Sequence, residues 1–294
     1  MKVYFLLFSL LLNCLFGLAQ EIKSKKIRRI SIQELYVLPG FMIQADKTIN
    51  LEDFKKLKPP SLLLNSDYSD FNNGYSSYIS ANTTFTGLIG IKFRNKEKTE
   101  YKTNPVLRIG LHANSGIYLN NRLFNESKKP YDTLVSMVTG EEFPIDSFIN
   151  EYVDISYQSR QLRLDFSLIF NIRPEKRWSF FYGIGANAGI STSSEIGLRY
   201  NKTGGTRGEV FEYFVGDYSS ISSFYQKVDQ KTNTAFSVYT PIGINFRIGK
   251  RGRKWENAFL YYEARPMVNV TSIPQLQTFT SSAFQQGIGM KFNL

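Results

Sequence analysis

Between Val153 and Ala188 the chain alternates apolar and polar residues, turns once, and alternates again; few folds accept so long a run. From Leu162 the even positions read Leu162, Leu164, Phe166, Leu168, Phe170 and Ile172, with Arg163, Asp165, Ser167, Ile169 and Asn171 between them. A period of two with one apolar face is the pattern of a β-strand. Arg173-Pro174-Glu175-Lys176-Arg177 reverses the chain. Trp178, Phe180, Tyr182, Ile184, Ala186 and Ala188 then alternate with Ser179, Phe181, Gly183, Gly185, Asn187 and Gly189. Both arms exceed the roughly 5 to 6 residues usual in globular sheets, and a hairpin of this length suits the wall of a membrane-spanning β-barrel.

The same pattern recurs along the chain. Strands are expected at about 34–44, 78–94, 105–119, 152–172, 178–200, 233–249, 256–270 and 281–294. Pro39 interrupts the first and predicts an edge, a bulge or a distorted ladder there. The intervening segments alternate in length: about 45–77, 121–149 and 201–232 are expected to be long loops, and Arg94–Lys102, Arg173–Arg177 and Lys250–Lys254 short turns. Within the first loop, Asn50 is a candidate N-cap for a helical turn or two with Leu51, Phe54 and Leu57 on one face, closed by Pro59-Pro60. Eight strands with long connections at one end and tight turns at the other predict an all-β, eight-stranded antiparallel up-and-down transmembrane barrel, with extracellular loops and periplasmic turns.

Three further features agree with a membrane barrel. The short turns carry a large excess of Lys and Arg over acids, whereas the long loops are slightly acidic. Much of the +11 formal charge therefore lies at one end, where it meets phospholipid headgroups rather than nucleic acid. Phe93, Phe170, Trp178, Phe246, Trp255 and Phe292 fall near strand ends at those turns or at the C-terminus and form a candidate aromatic girdle. The faces opposite the apolar ones carry Lys92, Arg108, His112, Arg163, Asp165, Arg247, Glu263, Arg265 and Lys291. An eight-stranded barrel is just wide enough for side chains, so Arg108, Arg163, Asp165, Arg247, Glu263, Arg265 and Lys291 are expected to form a charge network inside it. Ion pairs should run from Asp165 and Glu263 to Arg or Lys, because unpaired buried charges are costly.

Residues 1–20 have the build of a secretory signal segment: Lys2, an apolar core from Val3 to Leu12, then Gly17 and Ala19. Asn13 precedes Cys14 where a lipoprotein signal would place a small residue, which argues against lipidation. Residues 21–33 are expected to form a periplasmic arm and 34–294 the barrel. Without Cys14 the chain has no cysteine, so neither disulfides nor thiol chemistry is expected.

Leu162 to Ile172, the Arg-Pro-Glu-Lys-Arg turn, Trp178 to Ile190 with its repeated glycines, and the closing Gly289-Met290-Lys291-Phe292-Asn293-Leu294 resemble the small outer-membrane β-barrel proteins of Bacteroidota-type Gram-negative bacteria. The resemblance covers about 30–294 by pattern. It implies outer-membrane lipid and the barrel-assembly machinery as partners, with Gly289, Phe292 and Leu294 matching the C-terminal assembly signal. Gly287 and Leu294 depart from it, since a polar residue and a terminal Phe are commoner there. The family implies no catalytic residues.

Nothing else in the chain points to catalysis. His112 is the one histidine, and Ser115 lies three residues on, so the two side chains fall on opposite strand faces. There is no His/Cys cluster, and Asp67, Asp70, Asn72 and Asn73 lack the bidentate Glu of a calcium loop. Gly204-Gly205 reads as a loop hinge. No catalytic residue, metal or cofactor is expected. The leading expectation is a non-enzymatic barrel whose long loops bind an extracellular ligand or an envelope protein or support the envelope. The alternatives are a part of a secretion or surface-assembly machine, a narrow pore, and a soluble lipocalin-like carrier.

Overall fold

The period-two segments form strands, and what the sequence leaves open is where each strand stops. The computed structural model describes residues 30–57, 60, 61, 63–74, 79–93, 105–174, 176–208, 219–249 and 255–294. The expected signal segment, most of the N-terminal arm and the turns 94–102 and 250–254 lie outside them. In chain order the elements are β1 (Ile30–Ala45), β2 (Lys47–Thr48), α1 (Leu51–Lys56), β3 (Asn72–Gly74), β4 (Ile79–Phe93), β5 (Pro105–Ser115) and β6 (Leu119–Val135). They continue with β7 (Glu142–Ile172), β8 (Trp178–Gly208), β9 (Ser219–Asp229), β10 (Thr234–Tyr239), β11 (Ile242–Arg247), β12 (Ala258–Ser272) and β13 (Thr278–Asn293). Among the described residues no helix is long and apolar enough to cross a membrane.

The antiparallel pairings run β1–β4–β5–β7–β8, then through β10 and β11 to β12, β13 and back to β1. The ring is uneven, because β7 and β8 are each 31 residues long while β10 and β11 are 6 each. The sixth predicted strand is broken at Thr240-Pro241, since proline has no N–H for the ladder. Pro39 does not mark an edge. It pairs with Phe85 of β4, and the disturbance appears on its other side, where the β1–β13 register has no pairs between Val37 and Gly40.

Two predicted loops are largely strand. Residues 121–149 fold into β6 and the first part of β7, closed by a turn at 136–141, and 201–232 holds the end of β8 and all of β9. Gly204 and Gly205 are ladder residues opposite Ile149 and Phe148, not a hinge. The alternation there is weak because both faces are exposed along the outer part of β6 and most of β9, so the period-two signal fades while the backbone pairing continues.

The sheet β6–β7–β8–β9 therefore stands beyond the ring. Its inner face has an ordinary apolar core: Leu119, Leu123, Val153, Ile155, Tyr157, Ile196 and Leu198 pack with Phe54, Leu57 and Leu64 of the segment after β1, with Ile273 just past β12 and with Phe279 at the start of β13. The expected helix is present, although Asn50 makes no side-chain capping bond.

Candidate functional site

The outward face of the ring is apolar. Leu162, Leu164, Phe166 and Ile172 of β7, Trp178, Phe180, Tyr182, Ile184 and Ile190 of β8, and Leu260, Val268, Phe284 and Ile288 further round are all exposed, Leu164 at 53% and Ile184 at 61%. Exposed apolar surface of a few hundred Å² already marks an interaction site on a soluble protein; this belt surrounds the ring. From Leu162 to Ile172 it covers roughly 33 Å along the strand, or roughly 25 Å of thickness at a tilt of about 45°.

Polarity reverses at the end of the belt. In β7, Arg163, Asp165 and Ser167 point inward beneath the belt, whereas above it Val153, Ile155 and Tyr157 occupy the same inward parity and Gln158 and Arg160 face out. In β8 the device is different. Ile184 and Ile190 face out, but Ile196 and Leu198, also even-numbered, face in. The phase changes at a bulge: Gln161 pairs with Ser191 and Arg160 with Ser193, which leaves Thr192 as the extra residue. One inserted residue turns every following side chain to the other face.

The interior is filled in layers. Nearest the short turns, Tyr36, Leu38, Leu88, Val106, Ile169, Phe181 and Tyr261 form an apolar and aromatic layer. Above it both nitrogens of the Arg108 fork meet the Glu263 carboxylate at 2.7 and 3.0 Å. Arg265 donates from Nε to Glu263 at 2.6 Å and from Nη1 to Asp165 at 3.1 Å, and all four side chains are fully buried. Tyr239 donates its hydroxyl to Asp165 at 2.5 Å. Gly185 makes room for that ring, since a Cβ there would lie 2.4 Å from Tyr239 Cζ. The Arg108 guanidinium lies over Tyr36 at 5.4 Å and over Phe181 at 5.7 Å, seating the charges on the aromatic layer.

The expected network is thus brought together only in part. Arg163 sits among neutral groups, donating to Gln161 Oε1 at 2.9 Å, Asn187 Oδ1 at 3.0 Å and the Ser237 hydroxyl. Lys291 lies 3.4 Å from Glu34, which also receives Lys92 at 2.8 Å and the Tyr36 hydroxyl. Arg247 is at the turn end, donating to Pro174 O at 3.4 Å with its guanidinium over Phe259 at 5.4 Å. Gln161, Asn187, Tyr239 and Asn233 escape a sequence reading that looks for charge, and Glu34 escapes one that places it at the start of the first strand. Asn233 is fully buried at the junction between the ring and its cap, the β6–β9 sheet with the apolar core beneath it. It receives Gln161 Nε2 at 2.9 Å and donates to the Tyr157 hydroxyl at 2.7 Å. His112 is fully buried with Nδ1 2.8 Å from Thr86 Oγ1, and Ser115 is on the other strand face. Among the described residues no group of three or more His, Cys, Asp or Glu gathers to hold a metal.

Of the girdle residues, Trp178 packs on Phe246 with ring centres 4.6 Å apart, Arg177 covers Phe246 at 4.7 Å, and Phe170 stacks on Tyr182 at 5.7 Å. Trp255 is exposed and Phe292 pairs with Leu35; the Phe93 side chain lies outside the described residues. Gly289 pairs with Tyr261, and the Leu294 N–H donates to Gln33 O at 2.8 Å, so the last residues are bonded to the first strand.

Beyond the belt, the outer faces of β6 to β9 carry Arg122–Asp154 at 2.5 Å and Lys227–Glu195 at 2.8 Å. The hydrogen bond from Lys227 holds the Glu195 carboxyl below its usual range.

No protein-family model matches the chain, and no curated protein matches it. Solved structures resemble it weakly. Neisserial surface protein A is 8% identical over 91% of this chain and 100% of its own, with a TM-score of 0.33. Ail, the attachment invasion locus protein of Yersinia pestis, is 10% identical over 89% and 100%, with 0.24. The outer membrane protein OprG from Pseudomonas aeruginosa is 10% identical over 90% and 96%, with 0.28. Likeness of this extent carries no functional inference.

Proposed function

We propose that this chain is a non-enzymatic β-barrel of a Gram-negative outer membrane that holds the β6–β9 sheet at the cell surface as a binding platform. The observation that carries the reading is the reversal of polarity along β7: apolar residues face out from Leu162 to Ile172 and in from Val153 to Tyr157. A strand that is lipid-facing over one stretch and water-facing over the next crosses a membrane boundary between them. The strand ends at Ile172 and Trp178 then lie on the periplasmic side, and the sheet reaches roughly 55 to 60 Å past the belt at about 3.3 Å per residue. The side chains of Arg108, Glu263, Arg265 and Asp165 occupy the interior, and the apolar core under β6–β8 covers its outer end. Both support a support-and-display role over a pore.

Electrophoresis in SDS of detergent-extracted membranes, with and without boiling, tests the barrel: a fast band that slows on heating is expected. Protease applied to intact cells should cut near the 136–141 turn and leave the ring protected, and planar bilayers should show no conductance steps. Recovery in the soluble fraction without a heat shift would overturn the reading.

A further inference from the structure

The projecting sheet has two long edges, and they differ in chemistry. On one side β6 pairs with β2 at Leu119 and Asn120 and with β3 at 122–124; among the described residues nothing pairs with it from Asn125 to Val135 on that side. That stretch holds Glu126, Lys128, Lys129 and Pro130, followed by a register shift at Tyr131. Charge, proline and a bulge are the means by which proteins keep a bare edge from pairing with another strand. On the other side β9 pairs with β8 alone among the described residues. From Ser219 to Gln226 it reads Ser-Ser-Ile-Ser-Ser-Phe-Tyr-Gln, without charge or proline, and Ile221, Phe224 and Tyr225 are more than half exposed.

We propose that the β9 edge, Ser219–Gln226, is a docking strand for an extended, uncharged segment of another polypeptide, which adds to the sheet by main-chain hydrogen bonds. What fits a row of free amides and carbonyls is another strand, and side chains of alternate residues settle beside Phe224 on one face and Tyr225 on the other. No charged side chain in Ser219–Gln226 offers a partner to a charged ligand. The segment is uncharged in that window, because Ser, Ile, Phe, Tyr and Gln side chains there match polar or apolar neighbours and give a charge no counter-ion. The inference rests on the reading that the sheet lies outside the bilayer.

The probe is a fluorescein-labelled nonapeptide alternating Thr with Val and Tyr, with a Lys pair beyond the pairing window. Its anisotropy is followed against detergent-folded protein whose heat-shifted mobility has first been verified, so a failed barrel and an empty edge give different results. Saturable binding is expected, lost by at least about tenfold when alternate peptide nitrogens are methylated. The variant S222K/S223K gives β9 the lysine pair that β6 has at Lys128 and Lys129 and should lose binding to a similar extent while keeping its heat shift. Absence of binding, equal binding of the methylated peptide, or unchanged binding to S222K/S223K would each overturn the proposal. Dimers of the protein abolished by S222K/S223K would name a second copy as the occupant and overturn it as stated.

Discussion

Arg108 and Glu263, on strands opposite one another in the ring, are joined by two hydrogen bonds of 2.7 and 3.0 Å with neither side chain exposed. Removing one member of such a pair strands the other in the interior and costs about 3–5 kcal/mol, whereas replacing both with apolar residues is far less damaging. Glu263→Leu should therefore lower the unfolding free energy, read from urea titration of the heat-shifted band, by that amount, and Arg108→Met combined with it should recover much of the loss. A single and double variant of equal stability would show that the pair is not coupled.

The belt makes a directional prediction. Phe166→Arg places a cation on the outward apolar face near the middle of the belt, where the penalty in a bilayer is about 2–4 kcal/mol. Ser156→Arg, on the same strand face but above the reversal, should be tolerated. Yield of heat-shifted protein in lipid vesicles reads both. Equal folding of the two variants would remove the boundary at Arg160.

Deleting Thr192 removes the bulge and tests the phase change in β8. Either Ile196 and Leu198 turn outward or Ile184 and Ile190 turn inward, so no heat-shifted band is expected. Deletion of Val138 in the exposed 136–141 turn should leave the band unchanged.

Phe54 is fully buried in the cap, away from the ring. Phe54→Ala should destabilise the cap by about 3–5 kcal/mol and raise proteolysis of β6 and β9, while the heat shift of the ring persists. Loss of both together would mean that cap and ring fold as one unit.

Glu195 predicts a pH dependence for the outer sheet. Its carboxyl is held below the usual carboxylate range because Lys227 is hydrogen-bonded to it. A depressed carboxylate contributes stability above the unfolded value and loses it as pH falls through the folded one. The protection of β9 amides relative to their intrinsic exchange rate should therefore fall as acidification protonates Glu195, and Glu195→Gln should flatten that profile.

The strand pattern in the ring was legible in the sequence because an apolar outward face and a packed, largely polar inward face impose a period of two on Leu162–Ile172 and Trp178–Ile190. The same alternation marked Arg108, Asp165, Glu263 and Arg265 as inward, and two acids among many bases had to find partners. The sequence by itself therefore determined the strands, their apolar face and the sign of what lies within. It did not determine the extent of β6, β8 and β9, where water bathes much of the surface and the pattern thins while backbone pairing continues. Nor did it place the face of Ile196 and Leu198, whose parity matches Ile184 and Ile190. Only the extra residue at Thr192, set by the pairing of β7 with β8, turns them inward. The partners of Glu34, Arg163 and Asn233 were likewise decided by closure of the ring, because they come from strands far apart in sequence that meet only when β13 returns to β1 and β8 reaches β10.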